Sequence, residues 1–111
     1  MRIASLIEAA AAAAQPNPTR PATAIVQDSD QARLVVFRIA PGQQVAPHTS
    51  TSAVMLVGLS GSGVVTGAEG ERPVHPGDLV TYAPGEQHGM RAETDTLMLL
   101  AVIAPRPGAR P

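Results

Sequence analysis

The chain contains no cysteine, no lysine and no tryptophan, and only one phenylalanine and one tyrosine. Without cysteine there is no thiol nucleophile, disulfide, iron–sulfur cluster or thiolate metal site. Without lysine there is no Schiff-base chemistry on a lysine side chain. Charged residues make up only 15% of the chain and the formal net charge is −1, which gives no electrostatic case for nucleic acid or an anionic membrane as partner. No apolar run approaches the ~20 residues that span a bilayer. Glu8 interrupts the apolar N-terminal stretch, which argues against a signal peptide and makes a cytoplasmic location the expectation.

What remains is a globular composition: 111 residues with 44% hydrophobic content. A chain of this size suits one domain that buries roughly two-thirds of its unfolded surface. Its candidates for chemistry are three histidines, one tyrosine, nine carboxylates and the hydroxyls.

Residues 2–14 read as a helix. Ile3, Leu6, Ile7 and Ala10 fall on one face of a 3.6-residue period, and the run Ala9–Ala14 favours propagation until Pro16 and Pro18 stop it. From Ala22 the pattern changes to short β-rich runs divided by glycine and proline, the mark of an all-β barrel or sandwich. Strands are expected near Ala22–Gln27, Arg33–Ile39, Val54–Leu59, Gly63–Thr66, Leu79–Tyr82 and Thr96–Ala104. The division is therefore a helix and linker over 1–18, a barrel over 19–105 and a proline- and arginine-rich tail over 106–111, expected to fray. Three strands, around Val35, Met55 and Leu100, are apolar on both faces, so both faces need cover. A second copy of the chain is the expected cover, giving a homodimer; the N-terminal helix acting alone is the alternative.

Two stretches carry a resemblance to the paired motifs of the cupin superfamily. The first motif of that family runs glycine, five residues, histidine, one residue, histidine, three or four residues, glutamate, six residues, glycine. Here Gly42, His48 and Gly61 fall in register, Ser50 stands at the second histidine and Val54 at the glutamate. The second motif runs glycine, five residues, proline, one residue, glycine, two residues, histidine. Gly77, Gly85 and His88 match it, with Ala83 at the proline and Pro84 one place later. The resemblance covers about Arg33 to Pro105. It implies a small antiparallel double-stranded β-helix, a jelly-roll barrel of the RmlC-like cupin type, preceded by the short helix. The glycines also have a plain backbone reading, as residues that tolerate positive φ at sharp turns.

By the same resemblance, His48 and His88 point into one pocket, which Ser50, Val54 and Leu56 are also expected to line; Met90, two residues past His88, would face the same side of a strand. Imidazole suits zinc, nickel, iron or copper, so His48 and His88 are candidate ligands of a divalent metal. The set is incomplete, because Val54 has no donor atom and Ser50 is a poor ligand; Gln44, Glu86 or water are the groups left to complete it. The other readings make the two histidines polar wall residues of an aliphatic cavity, or metal-free acid–base groups. His75 reads as a surface residue, Asp78 as a turn cap and Glu86 as a solvated carboxylate. Two functions follow: a small stand-alone cupin that binds a small organic molecule, in a sensor, carrier or accessory role, or a metal-dependent dioxygenase, isomerase or decarboxylase.

Overall fold

A computed structural model describes residues 1–15 and 17–108. Among them, helix α1 (Leu6–Ala12) precedes strands β1 (Ala22–Asp28), β2 (Arg33–Ile39), β3 (Gln44–His48), β4 (Ala53–Ser60), β5 (Gly63–Gly67), β6 (Gly70–Val74), β7 (Leu79–Tyr82), β8 (His88–Ala92) and β9 (Leu97–Ala104). The strands form two sheets, ordered β1-β2-β9-β4-β7 and β3-β8-β5-β6. Every strand pairing is antiparallel. This is the expected all-β barrel with a short N-terminal helix.

The six expected strands are present with no end shifted by more than one residue, and β3, β6 and β8 are additional. Those three lack the usual strand pattern. β3 and β6 are mostly exposed, carry Pro47 and Pro73, and lie at the edges of their sheet; an edge tolerates a missing amide donor. β8 reads His-Gly-Met-Arg-Ala, with no β-branched residue, yet is buried at four of five positions. Its place between β3 and β5 outweighs its local propensity.

The helix is shorter than its periodicity suggests. Ser5 is its N-cap, accepting the Glu8 amide at 3.2 Å, so residues 2–4 stay outside. At the other end Ala13 turns extended. There the guanidinium of Arg38, from β2, donates to the carbonyls of Ala10, Ala11 and Ala13 at 2.7, 2.8 and 3.2 Å. A cation over the last carbonyls of a helix is favourable. Pro16, expected to stop the helix, lies outside the described residues.

The apolar runs of β2, β4 and β9 are divided between two cores. One side of these strands faces the barrel, with Ile39, Val54, Leu56, Leu97, Leu99 and Ala101 in its core. On the other side, Val36 and Leu100 are buried with Ala10 of the helix, while Val57, Leu59, Met98 and Val102 are partly covered. α1 thus supplies cover for that outer face.

Pro105, at the end of the expected barrel, and Arg106 and Pro107 of the expected tail lie against the barrel. The buried Ser52 hydroxyl donates to the Pro105 carbonyl at 2.6 Å, and Arg106 meets Asp28 at 2.8 Å. Residues 109–111 are outside the described residues. No helix among the described residues is long and apolar enough to cross a membrane.

Candidate functional site

The space between the sheets holds a cavity of about 230 Å³. Sheet β1-β2-β9-β4-β7 contributes Phe37, Val54, Leu56, Ala101 and Ile103, and sheet β3-β8-β5-β6 contributes Val45, His48, His88 and Met90. Thr49, Ser50 and Pro107 complete the wall. All six residues expected at a pocket, His48, Ser50, Val54, Leu56, His88 and Met90, come together here. Sequence reasoning did not pick out Phe37, Val45, Thr49, Ala101, Ile103 or Pro107. For Ala101 and Ile103 a signal was present: they alternate with Leu97 and Leu99 along β9, so they share that strand's inward face.

The two histidines are Cα partners across the β3–β8 ladder, just past an irregularity in its register. Their ring centroids are 4.2 Å apart, with planes tilted by 59°. His88 is buried, whereas His48 is exposed. Each ring is anchored to backbone two residues earlier: His48 Nδ1 lies 2.9 Å from the Ala46 carbonyl and His88 Nδ1 lies 3.2 Å from the Glu86 carbonyl. A carbonyl only accepts, so the partners assign the proton to Nδ1 on both rings and leave Nε2 as a lone-pair acceptor. The loops of the two sequence motifs are joined by the Gly85 amide, which donates to the Ser50 carbonyl at 2.7 Å. Ser50 Oγ accepts the Ser52 amide at 3.1 Å.

Burial lowers the pKa of His88 from its ordinary value of 6.5, and the neighbouring His48 lowers it further, against the opposing pull of the Glu86 carbonyl and carboxylate. The sign of the resulting pH dependence follows. Above pH 6.5 the ring is neutral in both folded and unfolded chains, and the stability of the fold is unaffected by it. As pH falls below 6.5 the unfolded chain takes up the proton first, so stability declines until pH passes the lowered folded value. Urea midpoints measured from pH 8 to pH 5 should therefore drop below pH 6.5, and His88→Gln should flatten that part of the profile. An unchanged slope in the variant would refute the assignment. Asp28 and Glu71, whose carboxyls are lowered chiefly by hydrogen bonds from Arg33 and Arg91, act below their ordinary range and do not enter this window.

The neighbouring polar groups serve the scaffold. Tyr82 is buried 5.3 Å from the His88 ring, and its hydroxyl donates to the Thr66 carbonyl at 2.8 Å. Burial, and then the charge of Glu86, raise its pKa. Glu86 is half-buried, and its carboxylate closes the 83–86 turn by accepting the Ala83 amide at 3.0 Å. Glu86, expected as a solvated carboxylate, thus also closes a turn through one of its oxygens. Asp78 caps its turn as expected, accepting the His75 amide at 2.8 Å, and His75 is exposed. A second recess of about 280 Å³ opens beside β6 and β7 among Glu69, Glu71, Arg72 and Glu86. Two of its carboxylates are already engaged, Glu71 with Arg91 at 3.0 Å and Glu86 as above.

The donor set can be tested against the metal that the motifs imply. A catalytic zinc site takes about three protein ligands. Here His48 and His88 supply two lone pairs. Neither Gln44 nor Glu86 lines the cavity. Among the described residues no group of three or more histidines and carboxylates is placed to hold a metal ion. The residues present do not fit a resident catalytic metal.

Comparison with known proteins gives a consistent picture of the fold. A family model described as a cupin domain matches residues 35–104. Among solved structures, the chain is similar to TT1209 from Thermus thermophilus, with 31% identity, a TM-score of 0.86 and coverage of 96% of this chain and 100% of that one. It is also similar to an RmlC-like cupin protein from Desulfovibrio desulfuricans, with 27% identity, a TM-score of 0.80 and coverage of 95% and 97%. A protein with a double-stranded β-helix domain from Klebsiella pneumoniae shares 24% identity at a TM-score of 0.83, covering 99% of this chain and 94% of that one. No curated protein matches the chain.

Proposed function

This chain belongs to the cupin family, and from that premise we propose that it is a binding module whose inter-sheet pocket takes a small, largely apolar organic molecule without metal-dependent chemistry. The observation that carries this reading is the division of the pocket wall. Aliphatic and aromatic side chains form most of it, and its polar groups are gathered on one side as His48, His88, Ser50 and Thr49. A mostly apolar hollow with a few convergent polar groups is the common form of a small-ligand site. A sensor, carrier or accessory role is compatible with such a module. The contrasting reading, an enzyme using His48 and His88 as metal ligands, has only two donors to work with.

Titration with ethylbenzene, followed by methyl NMR, tests the pocket. Saturable shifts should appear at Val54, Leu56, Ala101 and Ile103. Ala101 is almost fully buried and lines the cavity, so Ala101→Leu should fill part of the space and weaken binding by at least tenfold, about 1.4 kcal/mol. Absence of saturable shifts in the unmodified protein would overturn the proposal. So would near-stoichiometric metal in the purified protein that is lost in both His48→Ala and His88→Ala.

A further inference from the structure

The pocket's chemistry narrows its occupant further. None of its lining residues is an arginine, aspartate or glutamate. An anion would enter without a fixed cation to meet it, and an ammonium without a carboxylate; either charge would lose its hydration with little return. The complement of this wall is a neutral molecule.

The polar side of the wall has a definite donor and acceptor pattern. Both imidazoles spend their Nδ1 proton on backbone carbonyls, of Ala46 and of Glu86. That leaves two Nε2 acceptors on rings 4.2 Å apart, on side chains that line the cavity. Ser50 contributes the opposite function. Its oxygen already accepts the Ser52 amide, while a serine hydroxyl still has one proton to give. Thr49, in the same wall, brings a second hydroxyl. Imidazole acceptors beside hydroxyl donors match a group that donates once and accepts once.

Size sets the rest. A dry cavity of about 150 Å³ accommodates benzene, with six non-hydrogen atoms. Scaling that ratio to a cavity of about 230 Å³ gives a ligand of about nine.

Resting on the pocket reading above, we propose that the ligand is a compact, uncharged molecule of about nine non-hydrogen atoms whose single polar group is a hydroxyl, giving its proton to a histidine Nε2 and accepting one from Ser50. Carboxylates and ethers of the same size are poorer occupants, because neither brings a proton for the imidazole acceptors.

Four probes of nearly equal size separate the alternatives at pH 8: benzyl alcohol, benzyl methyl ether, benzoate and ethylbenzene, each titrated by NMR. Benzyl alcohol should bind about tenfold more tightly than benzyl methyl ether and more tightly than benzoate. Its advantage over the ether should shrink to about twofold in the double variant His48→Leu/His88→Leu, while ethylbenzene binding persists. Long-range proton–nitrogen spectra of the unmodified protein provide a readout independent of variant folding. Both rings should show protonated Nδ1 and bare Nε2, with an Nε2 resonance moving as benzyl alcohol binds. Ethylbenzene binding with no preference for the alcohol over the ether would overturn the hydroxyl assignment and leave the pocket reading intact. Benzoate binding more tightly than the alcohol, or rings protonated at Nε2, would also overturn it. If none of the four binds, the pocket reading fails and this inference falls with it.

Discussion

Gly61→Ala is expected to lower the stability of the fold by more than about 4 kcal/mol. Gly61 joins β4 to β5 with φ at +68°, and a β-carbon there would sit 1.9 Å from the Thr96 carbonyl oxygen. Two costs coincide. A left-handed backbone conformation costs an L-residue about 1–2 kcal/mol. The clash is with backbone just ahead of β9, the strand paired to both β2 and β4, so relieving it displaces the middle of the larger sheet. The combined penalty should exceed about 4 kcal/mol, a large share of the 5–15 kcal/mol typical of a domain. Gly42→Ala is the control. Gly42 also has positive φ, +86°, but nothing lies within 4 Å of the added carbon, so only the conformational cost of about 1–2 kcal/mol applies. Thermal and urea unfolding of the pair measures the difference. Equal stability of the two variants would show that the close approach to Thr96 is not rigid.

Leu99→Ala should produce the next largest loss, about 2–5 kcal/mol. Leu99 is fully buried, and it packs in the barrel core with Leu56, Leu97 and Ile39. Its strand neighbours, Phe37 on β2 and Gly58 on β4, are held in register on both sides, so the wall has little freedom to collapse into the space the side chain leaves. Leu79, on edge strand β7, is 62% exposed; its replacement by alanine should change stability by no more than about 0.5 kcal/mol. A urea midpoint for Leu99→Ala as high as that of Leu79→Ala would contradict the core placement.

The difference between these positions also explains what could be read from sequence. Strands β2, β4 and β9 announce themselves, because continuous apolar runs record burial on two sides. Positive φ at Gly42, Gly61, Gly77 and Gly85 agrees with their reading as turn residues. β3, β6 and β8 were silent because their pairing comes from neighbours in the sheet, not from their own side chains. For the pocket, motif register pointed to His48, Ser50, Val54 and His88, and strand alternation from His88 pointed to Met90; all of these line the cavity with Leu56. It did not reveal that Glu86 turns back to the Ala83 amide, nor that both histidines are tied through Nδ1. Such details depend on backbone atoms whose positions leave no mark on residue type. Arg38 was equally inconspicuous, since its partners are three carbonyls of an alanine run.

The pocket's wall is split between its two sheets, and that split has a mechanical meaning. Both imidazoles ride on one ladder pair, β3 with β8, while Phe37, Val54, Leu56, Ala101 and Ile103 belong to the opposite sheet. Small breathing of one sheet against the other would change the room inside while carrying the two rings along as a unit. Chamber size and the placement of the rings are therefore separately adjustable. Substitutions at Ala101 or Val54 would resize the chamber and leave the two rings on their shared ladder pair.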